Sequence, residues 1–337
     1  MKMNKFIAAA CLVPAVLFFA GCTKKSGTAG ADSKDEGKIK VVATIFPEYD
    51  WAKNLAKDSS GVEVELLIKN GTDLHSYQPS TQDIVKIGSA DIFIYVGGES
   101  DKWVAQVLKN SRKENQLVVN LMELLAENVK EEELTEGMQE ETHGHEAENE
   151  ADGAHEEAEY DEHVWLSVQN AKKAAVKIAE CLEIADLENS NIYAANLESY
   201  LAELDGIERQ TKEVAERVQK SSPLIFCDRF PFRYLTDELG AKYFAAFAGC
   251  SAETEASFET VAFLVQKTKE TDARAVFVTE SSDRKLAQTV VAGAELLQTE
   301  IVVLNSMQSV TQEQADAGAS YTQIMLGNLS KIASVLE

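Results

Sequence analysis

NSNIYAANLESYLAELDGIERQTKEVAERVQ, residues Asn189–Gln219, reads as one long helix. Ile192, Leu197, Leu201, Leu204, Ile207, Val214 and Val218 recur along it at helical spacing, and no proline interrupts it. At 1.5 Å per residue it would reach about 45 Å, the span of a domain. Gly206 is its soft position, costing about 1 kcal/mol against alanine. A helix of this length can connect two lobes and limit their relative motion; two shorter helices packed in one lobe are the alternative.

Both flanks alternate strands with helices. On the N-terminal side, Ile39–Ile45, Val62–Ile68, Asp91–Val96 and Leu117–Asn120 are β-branched or apolar runs that read as strands. Between them, Pro47–Lys57, a segment opened by the Ser80–Asp83 capping box, and Trp103–Lys109 read as helices. Ser167–Glu183 is a further helix with Ala174, Ile178 and Leu182 on one face. After the long helix the rhythm returns with strands at Pro223–Cys227, Ala241–Phe247, Ala275–Thr279 and Ile301–Asn305. Helices follow at Phe232–Leu239, Ser257–Lys267, Lys285–Val291 and Tyr321–Leu336. This order predicts an α/β fold of two β/α lobes with mostly parallel sheets. The first lobe is residues 38–166, the linking helices 167–221 and the second lobe 222–337. Ligands of such lobes sit beyond the C-terminal ends of strands, here the segments after Ile68, Cys227 and Thr279.

The first 21 residues are set apart as a secretory signal: Lys2 and Lys5 precede an apolar run, Phe6–Phe19, too short to span a bilayer comfortably. Phe19-Ala20-Gly21-Cys22 resembles a bacterial lipobox, with Phe19 in place of the usual leucine, and makes Cys22 the candidate for lipidation. Residues 22–37 are rich in Ser, Gly, Ala and Lys, the composition of a tether. The chain is therefore expected at the extracytoplasmic face of the cell membrane, held by lipid. A net charge of −24 argues against nucleic acid as a partner.

From Glu127 to Glu162 glutamate dominates, and the stretch reads as a mobile insertion. It contains His143, His145 and His155. The other two histidines, His75 and His163, stand beside aromatic and apolar residues, His75 on a loop after a strand and His163 at the entrance to a helix. Imidazole is a common ligand for zinc. Glu280, at the end of a strand, is placed to add a carboxylate. Cys181, Cys227 and Cys250 remain in the mature chain without CxxC spacing. They form either a Cys227–Cys250 disulfide or buried free thiols. No HExxH pattern supports a zinc hydrolase.

Leu74-His75-Ser76-Tyr77-Gln78-Pro79 and His163-Val164-Trp165-Leu166, separated by a histidine-bearing acidic stretch, resemble the metal-binding substrate-binding proteins of ABC importers, the zinc and manganese receptor family. The resemblance covers about Lys38 to Leu336. It implies a lipid-anchored, monomeric, non-enzymatic receptor serving an ABC permease and its ATPase. It also implies a cleft between two lobes in which His75, His163 and Glu280 hold Zn2+, with Mn2+ as the alternative, and an auxiliary metal-collecting role for His143, His145 and His155. Many zinc members carry a third ligating histidine after the first strand of the second lobe. Here Arg229 falls at that position, in Cys227-Asp228-Arg229-Phe230-Pro231-Phe232. An arginine stays protonated and cannot ligate. Either Asp228 contributes instead, or two histidines, a carboxylate and water complete the site, with Arg229 tuning its charge.

Overall fold

In the chain, two sheets of equivalent strand order flank a 29-residue helix, the longest among the described residues. The computed structural model describes residues 37–139, 159–251 and 255–336. Cys22, the signal and tether expectations, and His143, His145 and His155 lie outside the described residues. In the first lobe β1 (Ile39–Ala43), β2 (Val62–Leu66), β3 (Ile92–Tyr95) and β4 (Leu117–Asn120) form a parallel sheet ordered β2-β1-β3-β4. Helices α1 (Phe46–Leu55), α2 (Thr81–Ser89) and α3 (Lys102–Ser111) connect the strands, and the short α4 (Leu121–Leu124) follows β4. Ser80 and Asp83 form the expected capping box at α2. Helix α5 (Val168–Ala185), capped by Ser167, leads to α6 (Ser190–Val218).

The second lobe repeats the plan. Strands β5 (Leu224–Phe230), β6 (Tyr243–Ala248), β7 (Ala275–Val278) and β8 (Glu300–Val303) are parallel and ordered β6-β5-β7-β8. Helices α7 (Arg233–Leu239), α8 (Phe258–Glu270), α9 (Lys285–Ala294), α10 (Gln312–Asp316) and α11 (Tyr321–Ser334) complete it. The central strands β3 and β7 are apolar and almost wholly buried, as a parallel sheet covered on both faces requires.

Helix α6 is continuous for 29 residues. Its buried face differs in one respect from the aliphatic stripe: Tyr193 and Tyr200 are buried, while Ile192 is only partly so. An aromatic ring reaches further around the helix than an aliphatic side chain, so the tyrosines take the contact. Near its N-terminus Asn196 donates to the carbonyls of Leu55 and Lys57. Near its C-terminus Arg217 donates to the Ala333 carbonyl. The helix thus grips both lobes. One apolar core runs through them, from Val41 and Ile94 by way of Trp51, Trp165 and Tyr321 to Phe226 and Phe277.

Two expectations need correction. β5 runs three residues beyond Cys227, because one extra residue bulges between its pairings Phe226↔Ala245 and Arg229↔Phe247. The described parts of the acidic stretch also depart from the expected mobile insertion. Residues 127–139 and 159–162 are ordered: Glu131 pairs with Tyr160, and Gln139 bridges to Phe247 at the edge of β6. Val129 and Met138 pack against the core, Arg233 pairs with Glu133 at 2.6 Å, and Gly137 sits over the Phe263 ring. A few apolar anchors suffice to dock a segment whose composition is otherwise that of a solvated chain.

Candidate metal centre

His75 lies in a single 3-10 turn, Leu74–Ser76, in the loop that follows β2. Asp73 caps that turn, its Oδ1 accepting the His75 N–H at 3.0 Å. Buried Leu74 anchors it from below, and Tyr77 packs edge-on against Trp103. On the far side of the ring, His75 Nδ1 is 2.6 Å from Ser100 Oγ and 3.7 Å from Glu162 Oε2. Glu162 is itself held by the Ser100 N–H at 3.0 Å. The chain reaches Ser100 through Gly97 and Gly98, both at positive φ. A Cβ on Gly98 would meet Glu162 Oε1 at 2.3 Å.

His163 is fully buried at the start of the turn Val164–Leu166. Asp161 Oδ1 accepts from both its backbone N–H, at 2.9 Å, and its ring Nδ1, at 2.8 Å. Trp165 lies edge-on to the imidazole and donates its indole N–H to the Ser306 carbonyl at 2.8 Å, while Tyr321 donates its hydroxyl to the Trp165 carbonyl at 2.7 Å. The His-Val-Trp-Leu motif thereby fastens the ring to both lobes.

In both rings the Nδ1 side faces a carboxylate, which favours the proton on Nδ1 and leaves Nε2 with its lone pair. The two Nε2 atoms face each other at 3.3 Å. Burial, reinforced by His163 alongside, pushes His75 down to about 4, so its imidazole is neutral at ordinary pH. Burial also acts to depress His163, but the Asp161 carboxylate outweighs it and the net shift is upward.

Among the described residues, one group of potential metal-binding side chains gathers here: His75, His163 and Cys250, with ligand atoms within 4.8 Å of one another. Cys250 follows β6 directly, and its N–H is held by Glu132 Oε1 at 3.0 Å. Burial and the carboxylates of Glu132, Asp161 and Glu162 raise its thiol well above the ordinary range. Cys181, Cys227 and Cys250 are all free thiols, so the Cys227–Cys250 disulfide is not formed. Cys227 is instead packed in the apolar layer of the second lobe. Sequence reasoning weighed Cys250 as a disulfide partner or a buried free thiol, the lack of CxxC spacing arguing against a thiolate site. Its place immediately beyond a strand's C-terminal end was the available signal.

The two carboxylates expected as ligands do not join the group. Asp228 Oδ1 accepts the Arg229 N–H at 2.9 Å, and its Oδ2 accepts the N–H and Oγ1 of Thr279 at 3.0 and 2.7 Å. The bulge in β5 turns it toward β7 rather than toward the histidines. Glu280 accepts from Ser306 N, Ser306 Oγ and Ser309 Oγ at 2.7, 2.9 and 3.0 Å. Both carboxylates therefore tie loops of the second lobe together. Arg229 points into the cleft and pairs with Asp73 at 2.7 Å.

Comparison with known proteins identifies the family. The family profile described as zinc-uptake complex component A, periplasmic (ZnuA) fits residues 41–335. The high-affinity zinc uptake system protein ZnuA of Bacillus subtilis (strain 168) is 30% identical over 331 residues, 98% of this chain and 96% of that protein. The zinc-binding lipoprotein AdcA of Streptococcus pneumoniae serotype 4 is 28% identical over 98% of this chain, which spans 60% of AdcA's own length. Among solved structures, the metal-dependent lipoprotein YcdH of Bacillus subtilis superposes with a TM-score of 0.70 at 26% identity, covering 89% of this chain and 100% of that one. The Zn(II)-bound ZnuA-like domain of Streptococcus pneumoniae AdcA gives 0.65 at 26% identity, with 89% and 99% coverage. With a profile match over nearly the whole ordered body and two lobes of the same plan, the chain belongs to the ZnuA family of solute-binding receptors for metal uptake.

Proposed function

We propose that this protein is an extracytoplasmic receptor that captures one zinc ion between its lobes and delivers it to an ABC importer. The observation that carries the reading is the pair of Nε2 atoms facing each other at 3.3 Å, each ring oriented from its Nδ1 side. Two nitrogens bound to one tetrahedral zinc at ~2.0–2.1 Å stand about 3.3–3.4 Å apart.

Zinc is favoured over manganese because the cluster offers nitrogen donors, while Asp228 and Glu280, the carboxylates that would suit manganese, are engaged within the second lobe. The Bacillus subtilis and Streptococcus pneumoniae relatives are named for zinc, which supports the same choice. The receptor would work as a monomer, with a permease and its ATPase as partners and Cys22 lipidated at the membrane. His143, His145 and His155 would collect zinc ahead of the cleft. Proton competition makes capture weaker in acid. Titration calorimetry with zinc on the wild type, His75→Ala and His163→Ala tests the reading: each substitution is expected to abolish tight binding, and tight binding surviving in both would overturn it.

A further inference from the structure

We infer that Cys250 is the third protein ligand of the ion, its thiolate taking over the coordination that Arg229 cannot supply. The inference rests on the metal-receptor reading and adds to it a donor atom that neither motif contains.

Three observations converge on Cys250. First, its Sγ and one ring nitrogen of each histidine form a single group within 4.8 Å. An imidazole nitrogen and a thiolate sulfur on one tetrahedral zinc, at ~2.05 and ~2.3 Å, stand about 3.6 Å apart. The gathered atoms need only a small local closure to reach that separation. Second, the backbone is arranged to bring the thiol there. Gly249 passes so close to His163 that a Cβ would lie 3.0 Å from its Cε1, and Glu132 fixes the Cys250 N–H. The ordered part of the acidic stretch, bridged to β6 at Gln139, carries Glu132 to that position. Third, the adjacent position on β5 is lost to coordination: the Arg229 guanidinium is committed to Asp73. Strand β6 lies beside β5, so a donor at the end of β6 enters the cleft from the neighbouring strand.

On binding, an S–M bond replaces the S–H bond and the proton passes to solvent; no redox change is involved. Two imidazoles and a thiolate form a softer set than imidazoles with carboxylates, and they select zinc or cobalt over manganese.

The test is a Co(II) titration of the full chain under reducing conditions, for wild type, Cys250→Ser and Cys227→Ser. Wild type and Cys227→Ser are expected to develop visible ligand-field bands together with an intense near-ultraviolet sulfur-to-cobalt charge-transfer band. Cys250→Ser is expected to lose the charge-transfer band and to keep the visible bands at weaker affinity. Visible bands that saturate at one equivalent in wild type with no charge-transfer band would overturn the role of Cys250 and leave the receptor reading standing. A charge-transfer band that persists in Cys250→Ser would also overturn it. No cobalt or zinc binding by wild type would overturn both. A second readout needs no variant: zinc is expected to protect Cys250 from alkylation, located by peptide mass analysis, and labelling unchanged by saturating zinc would count against coordination.

Discussion

Arg229 donates to Asp73 Oδ2 at 2.7 Å while the other oxygen of the same carboxylate caps the turn of His75 at 3.0 Å. One acidic side chain thus links the second lobe to the loop that carries a metal-facing imidazole. The guanidinium is a structural tie across the cleft, at the position where the family resemblance implied a histidine.

Arg229→Ala leaves Asp73 partly buried without its charge partner. Loss of such a tie is expected to cost about 1–3 kcal/mol of stability, read as a lower urea midpoint. Arg229→Lys should recover only part of that loss, because an ammonium group cannot reproduce the guanidinium's geometry. Unchanged midpoints would show that the pair contributes nothing.

Asp161 orients His163 by accepting from both its N–H and its Nδ1. Asp161→Ala is expected to weaken zinc binding by about tenfold to hundredfold without abolishing it, since the ring stays present but loses its tautomer control. Calorimetry on this variant beside His163→Ala separates orientation from donation.

Glu48 is buried in the first turn of α1, where one of its oxygens accepts from Thr44 N, Thr44 Oγ1 and Ile45 N. Burial, helped by the Asp101 carboxylate, raises it from 4.5 to about 8. Asp101, raised to about 7 chiefly by burial, acts in the same direction. A carboxyl raised in the folded state holds its proton there and loses it on unfolding between the two pKa values. Stability is therefore full below about pH 4.5 for this group and falls as pH rises toward 8, by about 1.4 kcal/mol per pH unit for each proton so released. Unfolding followed from pH 5 to 8.5 is expected to show this decline, and Glu48→Gln should flatten it. Equal slopes for wild type and Glu48→Gln between pH 6.5 and 8 would contradict the assignment.

Replacing His143, His145 and His155 together with alanine should leave equilibrium affinity at the cleft unchanged and slow uptake at limiting zinc. Unchanged uptake would remove the auxiliary role proposed for these residues.

The strand–helix rhythm, the long helix and the two histidine motifs were legible because each depends on local periodicity or on a short contiguous pattern. Ser80 with Asp83, and Ser167 before α5, show how far local chemistry reaches. What escaped was set by pairing between distant segments. Asp228 sits beside the expected position in the chain, yet a single-residue bulge against β6 turns its carboxylate to Thr279. Cys250 is 87 residues beyond His163 in the sequence and meets it only because β6 packs next to β5. Residues 127–139 read as solvated because their glutamates outnumber the few apolar anchors that dock them.

Helix α6, fastened to Leu55 and Lys57 at one end and to Ala333 at the other, bears on how long the ion stays. A receptor that swings open on a free hinge sheds its cargo at the frequency of its own opening. Here one core and one continuous helix hold both walls, so spontaneous release is limited by local rearrangement of the loops around His75 and His163. A long residence time in the free receptor is the expected consequence, with unloading left to whatever partner deforms this frame.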